Sequence, residues 1–247
     1  MNNKNKKFNT LDKQFDYLPN DIKFCNNCVV SNQRPRTRFN KLGICSPCEW
    51  SYEKDNIIDW EKRENELRKL CDKYRSNNGN FDVVVPGSGG KDSAYVAHQL
   101  KYYYGMNPLC VTWSPFEFTN IGFKNLNNFI ASGFNNILGQ PDGKLHRIMT
   151  KLAFEMKGDA WEPFTYGQKA WAFHIATRFN IKLIMYGENG ELEYGGSEKY
   201  KFLPNEGPDE WEYEYFKGAN IDDLLNVGLD RGYFDYDKNI KNKIDFY

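Results

Sequence analysis

The sequence predicts an α/β fold, in which a doubly wound parallel sheet follows a small four-cysteine zinc module. Two observations predict it: strand patterns alternate with helical patterns between positions 81 and 196, and four cysteines stand in two close pairs ahead of them. We expect a flexible lead-in at 1–23, the zinc module at 24–50, an amphipathic helical connector at 51–80, the α/β domain at 81–196 and a C-terminal segment at 197–247.

Composition excludes several classes of protein. The chain has 247 residues, with 33 Lys and Arg against 33 Asp and Glu, so it has no general attraction for nucleic acid. No apolar run approaches the roughly 18 residues of a membrane span, and the N-terminus has no apolar signal region, so we expect a cytoplasmic protein without a membrane partner. Six cysteines in that compartment indicate a metal rather than disulfides.

The cysteine spacing is that of a structural metal site. Two C-x2-C pairs are separated by 16 residues, and they comprise Cys25, Cys28, Cys45 and Cys48. Four thiolates close a tetrahedral zinc site and leave no open position, although an iron–sulfur cluster also takes four cysteines and stays open as an alternative. Cys71 falls on a helical apolar stripe and Cys110 in a strand, so both are predicted to pack in the core.

The remaining elements follow from periodicity and breakers. Ile57–Tyr74 is predicted as the connector helix. Strands are predicted at Phe81–Pro86, Pro108–Trp113, Asn136–Leu138 and Ile181–Tyr186, and helices at Ser93–Tyr103, Ile121–Ser132, Gly143–Met156, Gly167–Phe179 and Ala219–Val227. Parallel strands joined by helices bind ligands at their carboxyl ends. The three histidines are interpreted as structural.

A glycine loop joins the first strand to the first helix of this domain. The run Val83–Ser93 reads VVVPGSGGKDS, which directs successive backbone N–H groups and a helix N-terminus toward one point, as a phosphate site requires. It is not a Walker loop, because Asp92 separates Lys91 from Ser93, and it lacks the third glycine of the dinucleotide fingerprint.

The hexapeptide SGGKDS resembles the pyrophosphate loop of the PP-loop ATPases, which cleave ATP between the α and β phosphates. The resemblance implies that Ser88, Gly89, Gly90, Lys91, Asp92 and Ser93 bind the leaving pyrophosphate, and that Lys91 and Asp92 also act in catalysis. It further implies that the end of the second strand, Val111, Thr112 and Trp113, lies beside the adenosine.

A second loop, YGENGELEYGG, follows the strand that ends at Tyr186. We expect it at the same edge of the sheet, with Gly187 at the ATP site. Glu188 and Glu191 are candidate catalytic residues and ligands of Mg²⁺, a cation that prefers oxygen ligands. A solvated acidic loop is the alternative interpretation.

Together, the four-cysteine segment FCNNCVVSNQRPRTRFNKLGICSPC, SGGKDS and GENGE resemble the N-acetyl sugar amidotransferase family over residues 24–230. The resemblance implies an ATP-dependent, AMP-forming enzyme that converts an acetamido group of a nucleotide sugar or glycan precursor to an acetamidino group. Ammonia would come from a separate glutaminase, with a cyclase-like channel protein as a further partner. Family members usually continue beyond this length, so we expect 197–247 to be incomplete relative to them.

Two other functions stay open. A PP-loop enzyme that modifies tRNA would use the zinc module for RNA docking, and the basic residues between the cysteine pairs support it: Arg34, Arg36, Arg38 and Lys41. A non-enzymatic interaction subunit is the third possibility, against which the intact SGGKDS argues.

Overall fold

A computed structural model describes residue 13 and residues 18–188, 193, 196–203, 205–234, 240, 243–245 and 247, with the backbone alone at 213 and 214. The chain divides into two compact units of discontinuous sequence. The first unit contains 1–52, 147–163 and 191–236, and the second contains 53–146, 164–190 and 237–247.

The connector region forms two helices rather than one. Helix α1 spans Ser46–Asn56 and helix α2 spans Trp60–Tyr74. The carboxylate of Asp59 accepts a hydrogen bond from the backbone N–H of Lys62 at 2.9 Å, and this cap starts α2 after the break. Helix α1 was not predicted, because it buries no residue and its sequence has no apolar stripe that would indicate a helix.

Three parallel strands make the sheet of the second unit. They are β1 (Val83–Pro86), β2 (Pro108–Trp113) and β3 (Asn135–Gly139), in the order β1-β2-β3. The chain returns beside β1 through a single parallel bridge from Ile184 to Val84, on the edge opposite β2. The strand predicted at Ile181–Tyr186 is thus reduced to this bridge, and the strand at Pro108–Trp113 is confirmed.

The helices that follow are close to the predicted ones. They are α3 (Lys91–His98), which continues as a π-helical turn over Gln99–Tyr103, α4 (Asn120–Ala131), α5 (Gly143–Lys157), α6 (Glu162–Arg178) and α7 (Ile221–Asp230). Helix α7 starts with a capping box between Asn220 and Asp223. Helix α6 begins earlier than predicted, at Glu162 rather than Gly167, so Pro163 lies in its first turn, where proline is tolerated. A short helix at Pro208–Glu210 runs into a π-helical turn at Trp211–Tyr215.

Apolar residues cover both faces of the sheet. On one face, Val83 and Val85 pack with α3 and α4 and with Cys71 of α2. On the other face, Val84 and its β2 neighbours pack against α6 around Ala172. Strand residues alternate between the two faces, so a strand buried on both sides is apolar throughout, as VVV is. Within the described part of the chain, no helix has the length and apolarity to cross a membrane.

The first unit contains a buried ion pair. Lys157 Nζ lies 2.7 Å from Glu162 Oε1, and both side chains are excluded from solvent. Lys157 also donates to the backbone carbonyl of Phe216 at 3.0 Å, and Lys217 lies 3.5 Å from the second oxygen of Glu162. Buried charges require partners, and these contacts supply them. They also join the end of α5 and the start of α6 to the segment before α7.

Candidate functional site

The four predicted cysteines converge on one point of the first unit. The sulfur atoms of Cys25, Cys28, Cys45 and Cys48 all lie within 4.8 Å of one another. The Sγ atoms of Cys28 and Cys45 are 3.6 Å apart, close to the edge of about 3.8 Å that a tetrahedron with 2.3 Å metal–sulfur bonds requires. The arrangement therefore fits one metal ion with four thiolate ligands.

Backbone geometry around the cysteines is built to receive negatively charged sulfur. The backbone N–H groups of Asn27 and Cys45 donate to Cys25 Sγ at 3.3 and 3.2 Å. The side-chain amide of Asn27 donates through Nδ2 to Cys48 Sγ at 3.4 Å. Gly43 has a positive φ of 72°, and a Cβ there would stand 2.5 Å from the side chain of Asn26. The turn before the second pair therefore requires glycine.

Acidity within the cluster also favours a cation. Burial raises the pKa of Cys25, but N–H donation from Asn27, Cys45 and Cys28 outweighs it and lowers that pKa to about 6. Burial raises the pKa of Cys45, and the neighbouring Cys25 sulfur raises it further. A second thiolate is unfavourable beside the first unless a metal ion stands between them. The donor set is compatible with Zn²⁺.

The other two cysteines belong to the core, as predicted. Cys71 and Cys110 are buried in the second unit. Burial raises the pKa of both thiols, that of Cys110 to about 12. Both side chains are therefore protonated and inert near neutral pH.

The glycine loop leaves the carboxyl end of β1 and enters α3 directly. The backbone N–H of Gly87 donates to the carbonyl of Val111 at 2.9 Å, which holds the start of the loop on the neighbouring strand. Gly90 is the N-cap of α3 and supplies no side-chain cap, so nothing from that residue covers the first N–H groups of the helix. Such a helix start attracts an anion.

Close contacts account for three of the glycines. A Cβ on Gly87 would stand 2.5 Å from the Ser93 side chain, and one on Gly89 would stand 2.8 Å from the backbone of Asn125 in α4. Gly187 lies against the first turn of α3, where a Cβ would stand 2.7 Å from the backbone nitrogen of Ser93. The structure thus brings Gly187 to the glycine loop, although the two are far apart in sequence.

Polar side chains connect the loop to the ends of the next strands. Thr112 is buried, and its Oγ1 donates to the carbonyl of Gly87 at 2.6 Å. Asn136 of β3 donates through Nδ2 to Thr112 Oγ1 at 2.8 Å. Val111 and Trp113 are buried beside Thr112, and the Trp113 indole packs against Gly167 of α6. Asn125 and Asn136 were not singled out in the sequence, because only tertiary contact relates them to the loop.

The charged residues of the loop face solvent. Lys91 Nζ lies 2.6 and 2.8 Å from the two carboxylate oxygens of Asp92. Ser93 Oγ donates to the carbonyl of Gly90 at 3.3 Å within the first turn of α3. Glu188 is exposed and directly follows Gly187, whereas Glu191 lies outside the described residues. The predicted pairing of Glu188 with Glu191 around Mg²⁺ therefore stays a prediction.

No protein-family model matches the chain, and a search of curated proteins finds no significant match.

Proposed function

We propose that the chain is an ATP-dependent, AMP-forming N-acetyl sugar amidotransferase of the PP-loop type, with a structural zinc centre. The observation that carries the proposal is the glycine loop at the end of β1, where Gly87, Gly89 and Gly187 each make a contact that excludes a Cβ. Backbone packed this closely, ending in a helix start without a side-chain cap, suits a group as large and as negative as pyrophosphate.

The order of the strands supports the same site. From β1 the chain proceeds outward to β2 and β3, then returns to the opposite edge of β1 at Ile184. In a doubly wound sheet, such a reversal opens a crevice at the carboxyl ends of the two strands that flank it. The glycine loop and Gly187 follow those two strands. Helices on both faces of the sheet are also expected of this fold.

The proposed reaction has two steps. The acetamido oxygen of the sugar attacks the α-phosphorus of ATP, the bond between the α and β phosphates breaks, and pyrophosphate leaves. Ammonia then adds to the activated carbon and AMP leaves with the former acetamido oxygen, so an acetamidino group remains. The chain binds pyrophosphate through the backbone N–H groups of residues 88–90 and the start of α3. Lys91 offsets the charge that develops there.

Glu188 is the residue proposed to hold Mg²⁺, together with Glu191. A carboxylate next to Gly187 offers the oxygen ligands that this ion prefers, and the ion would neutralise phosphate charge as pyrophosphate leaves. Asp92 is proposed to orient Lys91, since its two oxygens contact the ammonium group.

Ammonia is proposed to come from another chain. A glutaminase needs an accessible cysteine of low pKa, and Cys71 and Cys110 are buried with raised pKa values. The metal cluster engages the other four cysteines. A separate glutaminase, with a cyclase-like channel protein to deliver ammonia, completes the proposed system.

Release of pyrophosphate and AMP tests the proposal. Purified chain is incubated with ATP, Mg²⁺, ammonium chloride and a panel of nucleotide sugars that carry acetamido groups. We expect release that requires both the sugar and ammonium, and Asp92→Asn and Glu188→Gln should reduce it at least 10-fold. Glu61→Gln, at an exposed position of α2, is the matched control.

The outcomes separate the candidate functions. Pyrophosphate release that depends on tRNA and not on any sugar would replace this proposal with tRNA modification. A folded, metal-loaded chain that releases no pyrophosphate with either substrate would refute both and favour an interaction subunit.

A further inference from the structure

A cavity of about 490 Å³ lies in the first unit, beside the segment that separates the two cysteine pairs. Four of its lining side chains are cationic: Arg34, Arg36, Arg38 and Lys199. Glu198 is the acidic lining residue, and it pairs with Arg38 at 2.8 Å. The described lining residues therefore have a net charge of about three positive.

A buried hydroxyl adds a directional polar group. Thr37 also lines the cavity, and its Oγ1 is shielded from solvent with no hydrogen-bond partner among the described residues. A buried hydroxyl without a partner is unfavourable, so such a group usually marks a place where a ligand or water binds. Serine and threonine hydroxyls donate readily to phosphate oxygens.

Backbone conformation at the neighbouring residue supports a built site. Arg36 has a positive φ of 65°, which is uncommon for a residue with a Cβ and unfavourable in isolation. Its Nε and Nη1 atoms are shielded from solvent. An arginine guanidinium that lines a cavity can bind two phosphate oxygens at once.

The shape of the site favours a small ligand over RNA. A cavity of this volume falls within the range of about 300–1,000 Å³ typical of small-molecule pockets. The chain also has no surplus positive charge to attract RNA.

We propose that this cavity binds the phosphate groups of a small phosphorylated molecule through Arg34, Arg36, Arg38, Lys199 and the Thr37 hydroxyl. The proposal does not depend on the function proposed for the glycine loop. Inorganic pyrophosphate is the probe, because it is small, multiply charged and free of a base or sugar.

Local protection of arginine is the measurement. Phenylglyoxal modifies accessible arginines, and mass spectrometry of peptides reports the rate at each position. We expect pyrophosphate to slow modification of Arg34 and Arg38 at least fivefold and to leave Arg63, an exposed arginine of α2, unchanged. The same protection should persist in Asp92→Asn, so a failure of the glycine loop does not affect the result.

Pyrophosphate titrations that follow the protection of Arg34 and Arg38 in variants complete the test, because this readout is local to the cavity and does not report binding at the glycine loop. Thr37→Val keeps the shape of the side chain, and we expect it to weaken pyrophosphate binding at the cavity 5- to 20-fold, while Thr37→Ser retains binding and Arg63→Gln is neutral. Metal content and circular dichroism show that each variant is folded. Equal protection of Arg63, or equal affinity in Thr37→Val and wild type, would overturn the proposal. Protection by a short RNA at lower concentration than by pyrophosphate would also overturn it, in favour of an RNA surface.

Discussion

Thr112 Oγ1 donates a hydrogen bond to the carbonyl oxygen of Gly87 at 2.6 Å, and this bond ties the glycine loop to the end of β2. Asn136 donates to the same hydroxyl at 2.8 Å, so β3 joins the network. Gly87, which directly precedes the proposed pyrophosphate-binding residues, is thus held by the Thr112 side chain, and Asn136 of the next strand holds Thr112 in turn. A loop held in this way needs little rearrangement when it binds an anion.

Removal of the Thr112 hydroxyl should loosen this loop. Thr112→Val keeps the volume but leaves the Asn136 amide and the Gly87 carbonyl without this partner, in a buried place. We expect the free energy of unfolding in urea to fall by about 1–3 kcal/mol. Thr112→Ser retains the hydroxyl and should lose less than half as much. Equal losses in the two variants would show that the methyl group, rather than the hydrogen bond, matters.

Close packing of Gly187 against α3 should make that position intolerant of a side chain. In Gly187→Ala, the new Cβ would stand 2.7 Å from the Ser93 backbone nitrogen, so one of the two segments must move. We expect AMP formation to fall at least 10-fold while circular dichroism stays unchanged. Gly143→Ala is the control, because no atom of the residues that the structure describes lies within 4 Å of a Cβ there. Full activity in Gly187→Ala would separate this residue from the ATP site.

The cysteine cluster should bind one metal ion per chain. Elemental analysis is expected to find about one zinc, and Cys45→Ser should lose it because three thiolates remain. Proteolysis should then cleave within residues 24–50 faster than in wild type. Cys71→Ala, which removes a core thiol outside the cluster, should keep its metal. Iron with visible charge-transfer absorption would instead assign an iron–sulfur centre.

Acid should destabilise the chain through His146. Its imidazole is buried beside Phe116 and Tyr247, and burial lowers its pKa from 6.5 to about 4. The unfolded chain therefore binds a proton before the folded chain does, so stability is complete above about pH 6.5 and falls as pH decreases to about 4. The free energy of unfolding should fall by about 3 kcal/mol in total over this range. Urea unfolding at each pH measures it.

A variant isolates that contribution. His146→Gln removes the titrating group, so the slope of stability between pH 6.5 and 4 should flatten, whatever the packing costs at neutral pH. His174→Gln, at an exposed position, should keep the wild-type slope. Asp142 affects stability in a different pH range, because its pKa is lowered by the N–H of Leu145 and by Lys243. Its contribution is present above about pH 4 and is lost below it.

Several elements were predictable because their causes are local. The β-branched run before Pro86, the glycines after it and the spacing of the cysteines each depend on neighbours within a few residues. Helix α1 was missed because it buries no residue, and the strand at Ile181–Tyr186 was overestimated because only Ile184 pairs with β1. Pairing depends on the partner strand, which an apolar run does not specify.

By itself, the sequence determined the mixed α/β class, the four cysteines that could hold a metal ion and the loop that follows the first strand. The tertiary structure alone decided that Gly187 packs against Ser93, that Asn125 lies over Gly89, and that Asn136 reaches Thr112. It also decided that the arginines between the cysteine pairs line a cavity with Lys199. The physical reason is that these contacts join residues from separate elements, and only the folded backbone sets the distances between them.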